Sequence, residues 1–485
     1  MLFNSLEFLI FFPIVVGLYF ACPYRWRWAL LLAASYYFYA AWKLEYLVLI
    51  LISTVVDYTV ALAIARQTQP GVRTRLLAVS LTINLGLLFT FKYFNFFNDS
   101  LRALFNQFNL FYDVPAFQLL LPVGISFYTF QALSYTIDVY RGKLEPERHF
   151  GRFALFISFF PQLVAGPIER ARHMLPQFRQ DFDFSGERLI SGLRLILWGL
   201  FKKIVIADRL GLYVNAVYNN PAEYQGWTVA LATFFFAFQI YCDFSAYSDI
   251  AIGSARVMGF ELMENFRRPY FATSPVDFWR RWHISLSTWF RDYVYIPLGG
   301  NRVSVERWYA NLLIVFLVSG LWHGANWTFV IWGALHGLYV VGEVASTGLR
   351  RRLAHSLQLD RRPQVQAVLA GVFTFVLVWL AWLFFRANSV SDAFLLLGNL
   401  FQPSELNAIY SPWAGVVANP GLELALAVGL IGLLLLVEWL QARAWQLPVL
   451  TPQPRWLRWA AYLFLALAIM NLGITEEVPF IYFQF

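Results

Sequence analysis

Along the chain, long apolar runs alternate with short polar breaks, and the runs are longer than the elements of a soluble core. They occupy residues 2–21, 28–42, 46–65, 76–92, 118–140, 189–209, 228–252, 309–345, 365–385, 422–440 and 457–474. A helix needs roughly 20 apolar residues to cross about 30 Å of hydrocarbon, so each run predicts a membrane-spanning helix. The run 309–345 is long enough for two short passes. Segment 150–168 is equally apolar but carries Pro161, Gly166 and Pro167. Broken backbone at membrane depth is tolerated only inside protein or beside water, which predicts a re-entrant or interfacial piece there. The pattern as a whole predicts an all-α polytopic membrane protein. Its 485 residues read as a single integral membrane domain, with a histidine-bearing core at about 118–345.

Composition excludes the soluble alternatives. Hydrophobic residues make up 59% of the chain and charged residues only 14%, against about 25% charged in ordinary soluble domains. Mean hydropathy is +0.54. A net charge of +8 could suggest nucleic acid, but the basic residues sit in the short breaks: Arg25/Arg27, Arg66/Arg73/Arg75, Arg141/Lys143/Arg148/Arg152, Arg350/Arg351/Arg352, Arg361/Arg362 and Arg443/Arg455/Arg458. That is the positive-inside bias of cytoplasmic loops and no nucleic-acid surface. The N-terminal stub and residues 211–227, 387–421 and 472–485 contain no Lys or Arg and are candidates for the other side. Lys202, Lys203 and Arg209 resist this scheme, because strict alternation puts them at the outer end of their span. The first run begins at Leu2 without a basic n-region and is read as a retained helix, not a cleaved signal. Aromatics reach 19% and are expected in interfacial belts and in bundle packing. Cys22 and Cys242 offer no disulfide framework. Gly-rich phosphate loops and nucleophile elbows are absent, so nucleotide-driven chemistry is not expected, and the six His form no zinc pattern.

Ionisable groups at membrane depth are costly, so each is a functional candidate. The run from Ala310 is interrupted by SGLWHGANW, which sets His323 between two apolar arms beside Gly320, Trp322, Gly324 and Trp327, with His336 on the second arm. Glycine there permits close approach of backbone or ligand, and paired indoles can wall a cavity. The plainer alternative is a histidine hydrogen-bonded to a neighbouring helix. A second block, 274–302, opens with Ser274, Pro275 and Asp277, a cap, an N1 proline and a capping acid. Read as one helix, it puts Trp279, Trp282, His283, Leu286, Trp289, Phe290 and Tyr293 on one face. Arg280, Arg281, Ser287, Thr288 and Arg291 then lie elsewhere, as in a helix lying in the headgroup plane. A buried, satisfied His283 is the competing reading. In the third block Asp243 and Asp249 stand six apart, too far for a carboxylate pair on one face. They read first as a structural polar network. Ser126, Gln131, Ser134 and Asp138 in 122–138 are weaker candidates for the same cavity.

The segments DFWRRWHISLSTWFRDYVYIPLGGNR (277–302) and SGLWHGANW (319–327), with LPVGISFYTFQALSYTIDVYRG (121–142), FFPQLVAGPIER (159–170) and PFIYFQF (479–485), resemble the membrane-bound O-acyltransferase family. The likeness is closest to the bacterial branch that serves O-acetylation of exported polysaccharides such as alginate. It implies a ring of about 11–12 transmembrane helices plus re-entrant pieces in a bacterial inner membrane. By the same resemblance His323 matches the family's catalytic histidine and His283 the supporting one. The implied donor is a cytoplasmic thioester, acetyl-CoA or an acyl carrier, with no resident cofactor or metal. A periplasmic polysaccharide acetyltransferase is the implied partner. Trp322, Trp327 and Asp243 are candidate substrate contacts, and Arg280 and Arg281 candidate contacts for the phosphates of coenzyme A or for lipid headgroups. A thioester is already activated, so the enzyme must mainly align the partners and take a proton from the acceptor hydroxyl, which neutral imidazole can do. D-alanyl transfer toward teichoic acid, a polymer or acyl-donor transporter, and a recruiting scaffold are the alternatives. The scaffold leaves the His-Gly-Trp block unexplained.

Overall fold

Each expected apolar run contains a helix. The computed structural model describes residues 1–117, 121–164, 166–442, 454–474 and 479–481, and no strand occurs among them. Arg443, the first three residues of the expected 118–140 span, and residues 482–485 of the PFIYFQF segment lie outside the described residues. Helix starts follow the local chemistry. Ser5 accepts the Phe8 N–H ahead of Leu6–Ala21, and proline opens Pro70–Leu88 and Pro363–Arg386, where its missing N–H costs nothing. Among the described residues six helices are long and apolar enough to cross a membrane: Leu44–Arg66, Pro70–Gln107, Trp227–Met258, Trp327–Ala345, Pro363–Arg386 and Pro420–Ala442. The protein is therefore a multi-pass membrane protein. Other expected runs are helical but fall outside this set, and 309–345 divides into Val305–His323 and Trp327–Ala345.

The chain clusters into two units, Met1–Ile196 with Ile250–Met263, and Leu197–Asp249 with Glu264–Phe485. In the first, helices Leu47–Arg66, Pro70–Leu88 and Ile125–Tyr140 surround a buried carboxylate, Asp57. It accepts from Thr136 (2.8 Å), Asn84 (2.8 Å) and, at a shorter distance, Ser80. Gln131, a weak cavity candidate, instead donates to the Phe156 carbonyl of this unit. The broken segment is two short helices, Phe150–Ser158 and Phe160–Leu163, packed inside protein as the proline and glycine pattern requires. Beyond it Glu169 receives the Met263 N–H and lies 2.9 Å from Nδ1 of His173. That hydrogen bond raises the His173 pKa above its ordinary value.

In the second unit the misplaced cations find their explanation. A π-helical turn, Phe201–Ala207, leads into the helix Asp208–Asn219. Lys202 and Lys203 are buried in this turn and are not loop charges. Lys202 reaches Asp249 and Ser245, both at 2.7 Å. Lys203 lies between Asp208 (2.7 Å) and Asp243 (3.0 Å), and Arg209 pairs with Glu423. Burying an ammonium requires such partners, since an unpaired ion in low dielectric costs several kcal/mol, roughly. Asp243 and Asp249 thus serve separate lysines, as their spacing on the helix requires.

Candidate active site

Three histidines of the second unit come together: His283 at a break between two helices, His323 at a helix end and His336 within a helix. Ser274 accepts the Asp277 N–H at 3.2 Å and starts Pro275–Arg281. The segment is not the single helix that its periodicity predicts. It stops at Trp282 and resumes as Ile284–Phe290, with His283 between them at φ 44°, ψ 55°. Left-handed backbone costs a non-glycine residue about 1–2 kcal/mol, and here Asn265 compensates. Its carbonyl receives the Ile284 N–H at 2.9 Å, and its side-chain oxygen takes the Ser285 N–H (3.3 Å) and hydroxyl (2.9 Å). The same oxygen lies 3.1 Å from Nδ1 of His283, while the Asn265 amide nitrogen donates to Ser248.

His323 is the last residue of Val305–His323 and is 2% exposed. Gly320 places that helix end. A Cβ there would overlap the Phe329 carbonyl, and one at Gly333 would overlap that of Phe316, so the helices Val305–His323 and Trp327–Ala345 touch backbone to backbone. The His323 ring lies 6.3 Å, centroid to centroid, from that of His283. Trp322 (5.0 Å), Trp332 (4.9 Å) and Phe385 (5.5 Å) enclose it. Trp322 also stands 5.9 Å from the His283 ring, so it borders both histidines. His336 follows one helical turn after Trp332, 4.8 Å from its ring, and accepts from the Trp279 indole at Nδ1 (3.2 Å).

The remaining candidates separate from this group. Trp327 is 51% exposed at the start of its helix, so the second indole at His323 is Trp332. Arg280 is exposed, whereas Arg281 is half-buried and bonded to Asp277 at 2.9 Å. Asp243 holds Lys203 and the Ile481 N–H. Asn265, Trp332 and Phe385 are site residues that the sequence reading missed. Trp332 and His336, four apart on one helix, carried a visible signal. Asn265 carried none, because its part is to bond a kink that periodicity does not show.

Residues 147–387, which include all three histidines, match the sequence profile of the membrane-bound O-acyltransferase family. The chain is 42% identical over 409 residues to a probable alginate O-acetylase AlgI of Azotobacter vinelandii, covering 83% of this chain and 78% of that one. The chain belongs to the membrane-bound O-acyltransferase family. It is also 38% identical over 397 residues to a peptidoglycan O-acetyltransferase of Helicobacter pylori, covering 76% and 72%. A teichoic acid D-alanyltransferase of Bacillus subtilis is more distant, 29% identical over 237 residues, 46% of this chain and 59% of that one. The protein is thus an O-acyltransferase embedded in a membrane. Within this membrane-bound O-acyltransferase, His283, His323 and the indoles around them form the candidate site.

Proposed function

We propose that this O-acyltransferase transfers an acetyl group from a cytoplasmic thioester, acetyl-CoA, to serve O-acetylation of an exported polysaccharide such as alginate, with His323 as general base. The observation that carries the reading is the 6.3 Å pairing of His283 and His323 within a wall of indoles. Relatives named for alginate and for peptidoglycan both act by O-acetylation, which supports acetyl over D-alanyl. In the proposed step the acceptor oxygen attacks the thioester carbonyl as its proton passes to an imidazole nitrogen of His323. The tetrahedral intermediate then expels the thiolate, and His323 returns the proton to sulfur. Positioned proton transfer of this kind contributes typically about 10²–10⁴-fold.

The surroundings of His283 support a role as orienter. The Ser285 N–H can only donate, so the Asn265 atom it meets is oxygen, and Nδ1 of His283 bears the proton. Nε2 of the neutral ring is then an acceptor. That suits holding an acceptor hydroxyl and does not suit donating to an oxyanion. Arg280, exposed at the end of its short helix, is the better placed of the two arginines to meet donor phosphates, because Arg281 is held by Asp277. Placement in a bacterial inner membrane and delivery through a periplasmic acetyltransferase partner belong to the same proposal. The direct test is release of free coenzyme A thiol from acetyl-CoA by membranes carrying wild-type or His323→Ala protein. The proposal expects acceptor-dependent release by wild type alone. Equal release, or none from either, contradicts it, and none is also what a transporter would give.

A further inference from the structure

The buried Lys203–Asp243 pair lies outside the step just described, yet it is bound to a distant part of the chain. Asp243 accepts the Ile481 N–H at 2.7 Å through Oδ2, while Oδ1 lies 3.0 Å from the Lys203 ammonium. Ile481 is 4% and Phe480 0% exposed. The Phe480 ring packs, tilted, at 4.4 Å from that of Tyr247 and 5.5 Å from that of Phe244. Phe244 in turn presents its edge to His283 at 4.6 Å. The near end of the same stretch is tied to the same π-helical turn. The Ile474 N–H donates to the Ile204 carbonyl (3.3 Å), and Arg209, on the helix that follows the turn, donates to the Leu472 carbonyl. π-Helical turns are frequent at functional sites, and the wide turn here presents both a cation, Lys203, and a backbone acceptor, the Ile204 carbonyl.

Buried ion pairs are weak sources of net stability, since their desolvation offsets most of the attraction, and their best-attested use is to fix register. We propose that Lys203 and Asp243 form a latch that docks the Ile481 segment and so holds Phe480 against Phe244, the ring that meets His283. Asp243 is therefore a positioning residue for acyl transfer and not a substrate contact. The inference rests on the reading of His283 and His323 as the reacting pair, but the docking it requires can be measured without turnover.

The test uses full-length protein in membranes with Cys22 and Cys242 replaced by serine and alanine and Phe480→Cys as a maleimide target. Ile481→Pro deletes the N–H donor, Ile481→Val keeps it, and Asp243→Ala removes the acceptor. Turnover is measured in parallel with Phe480 restored. A lost hydrogen bond to a charged group predicts at least about tenfold faster labelling at position 480 in Ile481→Pro and Asp243→Ala. It also predicts about tenfold lower kcat in Ile481→Pro with the acetyl-CoA KM within about twofold, because the donor site is untouched. Ile481→Val should match wild type in both. Unchanged labelling in Ile481→Pro overturns the latch, and faster labelling with unchanged kcat overturns its positioning role. If wild type itself releases no thiol, the functional reading fails, and labelling still decides the docking.

Discussion

Asn265 determines which nitrogen of His283 carries the proton. One side-chain oxygen accepts from the Ser285 N–H, the Ser285 hydroxyl and the imidazole Nδ1, so the ring can meet it only as a donor. Trp279 imposes the opposite state on His336, whose Nδ1 accepts the indole N–H at 3.2 Å. Two buried histidines of one unit thus hold opposite tautomers, each set by a neighbour that cannot exchange its role.

Replacing Asn265 with alanine strands the Ser285 N–H and the His283 Nδ1–H inside protein. Each stranded buried donor costs about 1–3 kcal/mol, so the thermal midpoint should fall. Acyl transfer should fall by about 10–100-fold as the strained turn at His283 relaxes. Thiol release and a thermal melt on the same membranes check both, and unchanged turnover would deny Asn265 its orienting role.

The two tryptophans on Trp327–Ala345 should respond in opposite ways. Trp332 is fully buried against His323, His336 and Trp382, and its alanine variant should lose about 3–5 kcal/mol of stability along with most turnover. Trp327 is 51% exposed, and Trp327→Ala should retain activity within about threefold. Parallel measurement of turnover and melting for the two variants settles which indole serves His323.

Close approach at Gly320 and Gly333 allows no side chain. Gly320→Val forces its β-carbon into the Phe329 carbonyl and should displace His323, the residue three positions on. Overpacking of this kind costs typically about 1–3 kcal/mol, and turnover should drop more than stability does. Val at Gly342, which meets nothing within 4 Å, is the control on the next helix and should preserve both.

Glu169 gives the first unit a pH-dependent brace. Its hydrogen bond raises the His173 pKa, so protonated His173 stabilises the fold. This contribution is complete below the ordinary histidine value of about 6.5 and is lost as pH rises through the raised folded value. Melting of His173→Ala should therefore fall further below wild type at about pH 6 than at about pH 8.5. An equal difference at both would assign the ring a packing role alone.

Much of this could be read from the chain because lipid permits few backbone solutions. Apolar run length located the helices, and the break at SGLWHGANW marked His323 as a candidate between two apolar arms. Three features escaped for physical reasons. Periodicity assumes a continuous helix, so it carried His283 through a turn that Asn265 in fact breaks. Loop-charge counting assumes that lysines lie outside the membrane, and so misplaced Lys202 and Lys203, which are neutralised by aspartates from another helix. Sequence proximity favoured Trp327 as the second indole, whereas helical geometry brings Trp332 back over the preceding helix end.

His323, as proposed, takes the acceptor proton in acetyl transfer to a polysaccharide. Ester-linked acetate on the exported polymer, compared between cells carrying wild-type and His323→Ala protein at matched membrane levels, tests it most directly. Acetate should fall by about 10²-fold or more in His323→Ala with polymer export intact. Undiminished acetylation would contradict it and return His323 to a packing role among the indoles.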